Sequence, residues 1–290
     1  MNTRNIRFRS NGVRDILGLF HEELDGMYGS GEVAVFCEML FEAFIGWDKV
    51  RLLTSKEQTI DQSDLLRFHW ALEDLKEQRP IQHIIGHTDF CGCRIEVNPD
   101  VLIPRPETEE MVEWIMKNKE LRIKNVLDLC TGSGCIAIAL KKALPQAAVT
   151  AVDVSEKALA VARRNAENNG VEVQFVQGDV LDPNFNFQFS IFNLIVSNPP
   201  YVRESERAEM RRNVLDYDPA LALFVPDDDP LRFYRAIAAI ARKHLAEGGL
   251  VAVEINEAFA EEVCTLFRKQ GFRPAVHSDF RGKARWVTAN

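Results

Sequence analysis

The chain of 290 residues is poor in several features that would each announce a class. No stretch approaches the ~18 uninterrupted apolar residues of a membrane span. Residues Met1 to Ser10 are polar and basic without an apolar core, so no secretory signal is expected there and a cytoplasmic location is. The six cysteines (Cys37, Cys91, Cys93, Cys130, Cys135, Cys264) include no C-x-x-C pair. Cys91-Gly92-Cys93 leaves one residue between thiols, poor spacing for zinc, so free reduced thiols are expected. The histidines are scattered, and no metal constellation is visible. Positive charge is in deficit, with 35 Lys and Arg against 43 Asp and Glu and a net charge of −8. A dedicated duplex-DNA binder carries a basic face, so the balance favours protein or small-molecule substrates. There is no internal repeat and no low-complexity segment.

What is present divides at the first third. From about Val13 to Gln78 the pattern is helical: Val13, Ile16, Leu17 and Phe20 share a face, as do Val35, Met39, Leu40 and Ala43. Leu65, Leu66, His69, Leu72 and Leu75 make a third stripe behind a cap at Asp61 or Ser63, with His69 read as a packed core residue. This small bundle holds no phosphate loop or catalytic cluster, and partner recognition is its expected role. Arg79-Pro80 ends it. His83 to Asn98 reads as a hairpin turning near Cys91-Gly92-Cys93. In Ile103-Pro104-Arg105-Pro106-Glu107-Thr108-Glu109 the flanking prolines impose extended backbone, and Thr108 or its acidic neighbours can start a helix over Glu109–Lys117. The expected domains are thus 1–79 (helical), 80–104 (hairpin linker) and 105–290 (α/β).

From Asn125 onward strands alternate with helices, which predicts an α/β sheet. Strands are read at Val126–Leu129, Val149–Val152, Val173–Val176, Phe192–Val196 and Leu250–Ile255, with the last segments near Pro274–His277 and Ala284–Thr288. Helices are read at Gly134–Leu144, Ser155–Asn168 with Ser155 as N-cap, Leu231–Leu245 up to a break at Gly248-Gly249, and Ala258–Lys269.

Chemistry concentrates at strand ends. Asn198-Pro199-Pro200-Tyr201 follows the fourth strand, and two prolines without N–H groups stop its ladder. In open α/β sheets that edge is where ligands bind. An Asn carbonyl beside a backbone carbonyl can accept both hydrogens of a planar –NH2 group, and an aromatic ring can cover its flat face. Asp128-Leu-Cys130-Thr131-Gly132-Ser133-Gly134 follows the first strand, and its glycines permit a tight turn and close ligand approach. Ala137 also satisfies the spacing of a dinucleotide turn, so that test does not discriminate. Asp128 is placed to organise the loop. Asp153 ends the second strand, where an acidic residue receives ribose hydroxyls; otherwise it is a helix-preceding cap. Asp179, followed by Val180, closes the third strand and can accept from an adenine amino group; alone it would be a turn residue. Four such features at one sheet edge make a common site the better reading.

On these residues the chain resembles the class I S-adenosylmethionine-dependent methyltransferases, and more narrowly the release-factor glutamine methyltransferases of the HemK/PrmC type. The resemblance covers nearly the whole chain, including Pro104 to Thr108, the Asn-Pro-Pro-Tyr tetrad and Asp218-Pro-Ala-Leu-Ala-Leu-Phe224. It implies a Rossmann-like sheet of order 3-2-1-4-5-7-6 with strand 7 antiparallel. It implies S-adenosyl-L-methionine, giving S-adenosyl-L-homocysteine, held by Asp128, Cys130, Thr131, Gly132, Ser133, Gly134, Asp153, Asp179, Val180 and Asn198. The implied reaction methylates the glutamine side-chain nitrogen in the Gly-Gly-Gln motif of peptide-chain release factors. Asn198, Pro199, Pro200 and Tyr201 would be catalytic, with Arg105 and Glu107 assisting substrate binding or the covering loop. Neither nucleic acid nor membrane is an expected partner, and a monomer is expected. Cys130 stands where the family usually has glycine. Glu254 reads either as a site neighbour or as a salt-bridge partner. Two rival readings share features. An adenine-amine methyltransferase would use the same tetrad but need a basic groove. A non-catalytic module would hold a nucleotide and dock a partner.

Overall fold

The computed structural model describes residues 8–118, 123–185 and 190–290. Residues 1–7, the larger part of the N-terminal stretch expected to lack a secretory signal, lie outside them. The chain forms two compact units, Met1–Gly86 and His87–Asn290.

The first unit is helical: α1 (Val13–Tyr28), α2 (Ser30–Ile45), α3 (Lys49–Thr54), α4 (Gln62–Lys76) and α5 (Ile81–Ile85). Val13, Ile16, Phe20 and Leu24 of α1 are fully buried, at the spacing that puts them on one face. Each such burial contributes about 1.5–3 kcal/mol. The α2 face differs from the one expected from the sequence. Val33, Phe36, Cys37, Leu40 and Phe41 are buried, whereas Val35 is about half exposed. This helix is apolar nearly all round, so periodicity alone cannot choose its inner side. In α4 the buried set is Phe68, His69, Ala71, Leu72 and Leu75, with Leu66 turned outward.

His83 to Ile85, expected as strand, are helical. Gly86 at φ 83° ends α5 in a left-handed cap. The second unit then opens with a hairpin of β1 (His87–Phe90) and β2 (Cys93–Glu96). Its turn residues Cys91 and Gly92 both have positive φ, 47° and 70°, as a two-residue hairpin turn matched to strand twist requires. After α6 (Pro106–Lys117) come β3 (Asn125–Leu129), α7 (Cys135–Ala143), β4 (Ala148–Asp153), α8 (Glu156–Asn168), β5 (Gln174–Gln177) and β6 (Phe192–Ser197). An irregular stretch carries β7 (Val202–Arg203), α9 (Arg212–Leu215), α10 (Ala220–Leu223) and β8 (Phe224–Val225). The fold finishes with α11 (Arg232–His244), β9 (Leu245–Glu254), α12 (Ala260–Lys269), β10 (Pro274–Ser278) and β11 (Ala284–Ala289).

The main sheet has the order β10-β11-β9-β6-β3-β4-β5. Only β11 runs against its neighbours β9 and β10. Counted along the main sheet alone this is 3-2-1-4-5-7-6 with strand 7 antiparallel, as the resemblance implied. Both faces are covered. Val126, Val149, Ala151, Leu194, Val196 and Ala252 pack on one side with α6, α7 and α8. Leu127, Leu129, Val152, Ile195, Val251 and Val253 pack on the other with α11 and α12. That is why these strands read as continuous apolar runs. Gly248-Gly249 does not separate a helix from a strand; it lies inside β9, in a bulge opposite Phe192 and Leu194. Because β4 and β6 leave β3 on opposite sides, the C-terminal ends of β3 and β6 flank the switch point where such sheets bind ligands. No helix among the described residues is long and apolar enough to cross a membrane.

Candidate active site

A cavity of about 460 Å³ opens at those strand ends, within the usual range for small-molecule sites. Its floor is the turn after β3. Cys130, Gly132 and Gly134 all have left-handed φ, 59°, 55° and 80°, which lets three residues reverse the chain into α7. The turn is tied down at each step. Thr131 N donates to Val152 O at 3.0 Å, and Thr131 Oγ1 donates to Asp128 Oδ2 at 2.6 Å. Gly132 N donates to Asp153 Oδ2 at 2.8 Å. A side chain at Gly132 would meet nothing, so its backbone borders open space where a ligand can approach.

Asp128 is fully buried beneath the turn rather than on the cavity wall. Burial pushes its carboxyl up to about 7. Asp153 lines the cavity, and its other oxygen accepts from Ser155 N at 2.9 Å. A carboxylate offers about four lone-pair sites, more than these backbone groups use, so acceptor capacity remains at the cavity. Burial raises its pKa as well. Asp179 and Val180 line the same wall, with Asp179 Oδ1 accepting from Leu181 N at 2.8 Å.

The tetrad lies at the opposite wall. Asn198 and Pro200 line the cavity; Pro199 and Tyr201 do not. Asn198 Nδ2 donates to Thr108 Oγ1 at 3.0 Å, and Thr108 Oγ1 donates to Glu254 Oε2 at 2.5 Å. Tyr201 Oη donates to Glu254 Oε1 at 2.8 Å. Ser197 Oγ fixes the end of β6 to β3 by donating to Leu129 O at 2.7 Å. Pro106 occupies the first turn of α6, with Arg105 rather than Thr108 at the N-cap position. Thr108 therefore spends its hydroxyl on the site. Arg105 lines the cavity and pairs with the buried Asp218 carboxylate at 2.6 Å. Burial raises the Asp218 pKa against the opposing pull of Arg105. Glu107 faces Arg285, 4.0 Å away, and does not line the cavity.

The structure thus gathers Arg105, Cys130, Thr131, Gly132, Ser133, Asp153, Asp179, Val180, Asn198 and Pro200 around one space. Two family descriptions match the chain: the Methyltransferase small domain over residues 108–216 and the PrmC N-terminal domain over residues 28–86. A protein of Flavobacterium psychrophilum, named release factor glutamine methyltransferase, is 44% identical over 277 residues, 93% of this chain and 96% of that one. The chain belongs to the release factor glutamine methyltransferases.

A second relative of that name, from Bacteroides thetaiotaomicron, is 42% identical over 95% of this chain and 99% of its own. Among solved structures, the hMettl16 catalytic domain, crystallised with a 3′UTR hairpin, superposes with a TM-score of 0.54 over 82% of this chain and 85% of that one. At 15% identity that likeness shows the fold alone.

The cavity and its supports also include residues to which sequence reading gave no site role. Leu221, Phe224, Arg232 and Phe233 line the cavity from the irregular stretch and the start of α11. Leu221 and Phe224 belong to the Asp218–Phe224 segment of the resemblance, but nothing in the type of these four residues announces a cavity wall. Asn165 is fully buried in α8; its Oδ1 accepts from Glu96 N at 2.7 Å, and its Nδ2 donates to Glu96 O at 3.0 Å and Ser133 O at 2.9 Å. It holds the hairpin to the glycine turn.

Proposed function

We propose that this chain methylates the side-chain nitrogen of the glutamine in the Gly-Gly-Gln motif of peptide-chain release factors, with S-adenosyl-L-methionine as donor. One observation carries the site-level reading. With Nδ2 engaged by Thr108, Asn198 Oδ1 takes no hydrogen bond among the described residues and remains an acceptor at the cavity wall.

The donor suits the cavity: open backbone at Gly132, a carboxylate at Asp153 for ribose hydroxyls, and Asp179 with Val180 for a base. When bound, it supplies an electrophilic methyl carbon on a sulfonium. The acceptor is a poor nucleophile because its lone pair is delocalised into the carbonyl. Asn198 Oδ1 accepts one of its N–H bonds at the cavity wall and aims the nitrogen, and the Pro199 carbonyl, set back from that wall, is the acceptor proposed for the other. The same oxygens stabilise the positive charge that grows on nitrogen as the new bond forms. Pro200 walls the acceptor from water, and Tyr201, held at Glu254, fixes the far end of the tetrad. The proton leaves after transfer, when the nitrogen has become acidic, so no histidine base is needed. Glu107, joined to Arg285, steadies the segment that carries Arg105. The helical unit recruits the release factor, the enzyme works as a monomer in the cytoplasm, and its acidic balance keeps nucleic acid from being a substrate.

Mass spectrometry after reaction of the enzyme with a release factor and isotopically labelled donor tests the reading. A labelled methyl on the Gly-Gly-Gln glutamine, absent when that residue is Ala, supports it. Label on another residue or on nucleic acid refutes it.

A further inference from the structure

We propose that Glu254 and Thr108 form a one-way hydrogen-bond relay that sets which end of the Asn198 carboxamide faces the acceptor, making both positioning residues for the reaction. The inference rests on the glutamine-methylation reading and explains how that site reads a carboxamide NH2.

An asparagine amide is nearly symmetric in shape, and turning it over exchanges an acceptor for two donors. At Asn198 the wrong orientation would set N–H groups against the N–H groups of the incoming amide. The Asn-Pro-Pro-Tyr segment alone cannot prevent this. The neighbours can. An ionised carboxylate has only lone pairs to offer, and Glu254 is buried to 2% exposure at the end of β9. With Glu254 ionised, as the two hydroxyls directed at it favour against the pull of burial, Thr108, equally buried, must give its single proton to Glu254 Oε2. That leaves only lone pairs on the side of Thr108 that meets Asn198, so the atom placed there has to be Nδ2. Oδ1 is then delivered to the cavity. Tyr201 gives its own hydroxyl proton to the second Glu254 oxygen, so one carboxylate orders both ends of the tetrad. Three separate elements contribute: α6 through Thr108, the end of β6 through Asn198 and Tyr201, and β9 through Glu254. Thr108 and Glu254 are 146 positions apart, and a buried carboxylate is costly to assemble there unless its oxygens are satisfied.

The test compares wild type with Thr108→Ser, Thr108→Val and Glu254→Gln in single-turnover methylation of a release factor, with donor affinity by calorimetry and melting temperature measured alongside. Serine keeps the relay, so Thr108→Ser should stay within about threefold of wild type by restoring the same hydrogen bonds. Valine fills the space without accepting, so Thr108→Val should lose roughly 10- to 100-fold in turnover while donor affinity holds within a few-fold. Glu254→Gln can donate toward Thr108 and should lose turnover similarly. Wild-type turnover in Thr108→Val, or equal losses in the serine and valine variants, overturns the relay. Neutron diffraction of the deuterium-exchanged wild-type protein reads the order directly, whether or not the variants fold. Deuterons on the Asn198 atom facing Thr108 support the proposal, and an oxygen there ends it. If wild type leaves release factors unmodified, the functional reading falls, and the neutron result still decides the relay on its own.

Discussion

Cys130 holds a left-handed backbone at φ 59°, a region that costs a non-glycine residue about 1–2 kcal/mol. Its side chain packs at the edge of one sheet-face core, which offsets part of that cost. Cys130→Gly should therefore leave unfolding free energy within about 1 kcal/mol of wild type. Cys130→Val, β-branched at positive φ, should lose about 2 kcal/mol or more. Urea denaturation measures both. At the tetrad, Asn198→Ala removes the acceptor oxygen and should lower single-turnover methylation by about 100-fold or more while donor affinity changes little. Near-normal turnover would remove Asn198 from the amide grip. At this scale the sequence was legible where a residue's type and its place at a strand end coincide, as for Asp153, Asp179 and Asn198. It was silent on Thr108 as partner of Glu254. Nothing in a linear pattern shows that residues so far apart will share a proton, and Thr108 reads more naturally as a helix start.

The elements meet tightly where α7 enters against α8. A Cβ at Gly134 would sit 3.0 Å from Ala162 Cβ and 3.3 Å from Ala162 Cα, at φ 80°. Gly134→Ala should cost about 2–4 kcal/mol, the sum of left-handed strain and forced separation of two helices. Retention of the wild-type unfolding midpoint would contradict this packing account. The strands and long helices were readable because each is covered on known faces, giving continuous apolar runs or 3.6-residue stripes. Besides the start of the hairpin, where His83 to Ile85 are helical, two readings missed for physical reasons: α2 is apolar around its circumference, and Gly248-Gly249 is a strand bulge whose sequence mimics a breaker. The stretch between Tyr201 and Arg232 was hardest. It forms one-turn helices and two-residue strands whose positions are set by the cavity they border.

For the molecule as a whole, burial raises the pKa of several carboxyl groups above the ordinary value in the folded state: Asp128, Asp153, Asp218 and Glu254, the last opposed by the hydroxyls of Thr108 and Tyr201. Asp128 has the clearest window, from its ordinary 3.8 to about 7. Between those values the folded chain binds the extra proton, so this group's contribution is full below about pH 4 and is lost as pH rises through 7. Asp128→Asn removes that slope. Its stability relative to wild type should rise from pH 5 to pH 7.5 in urea titrations, and parallel curves would refute the assignment. The α/β class and the site's edge were legible from the alternation of strand and helix, whereas the strand order followed only from the family resemblance. How each unit closes its own core depended on side chains that no motif marks.

Asn165 gives one such side chain a reach well beyond its own helix. Its carboxamide satisfies both backbone polar groups of Glu96 and the carbonyl of Ser133, so hairpin and glycine turn share one fastening. Asn165→Ala would strand three backbone groups and should cost about 3 kcal/mol or more. Damage to a ribbon with no catalytic group would then surface as slackened grip on the methyl source. The β1–β2 ribbon is in that sense a brace for chemistry carried out elsewhere in the same unit.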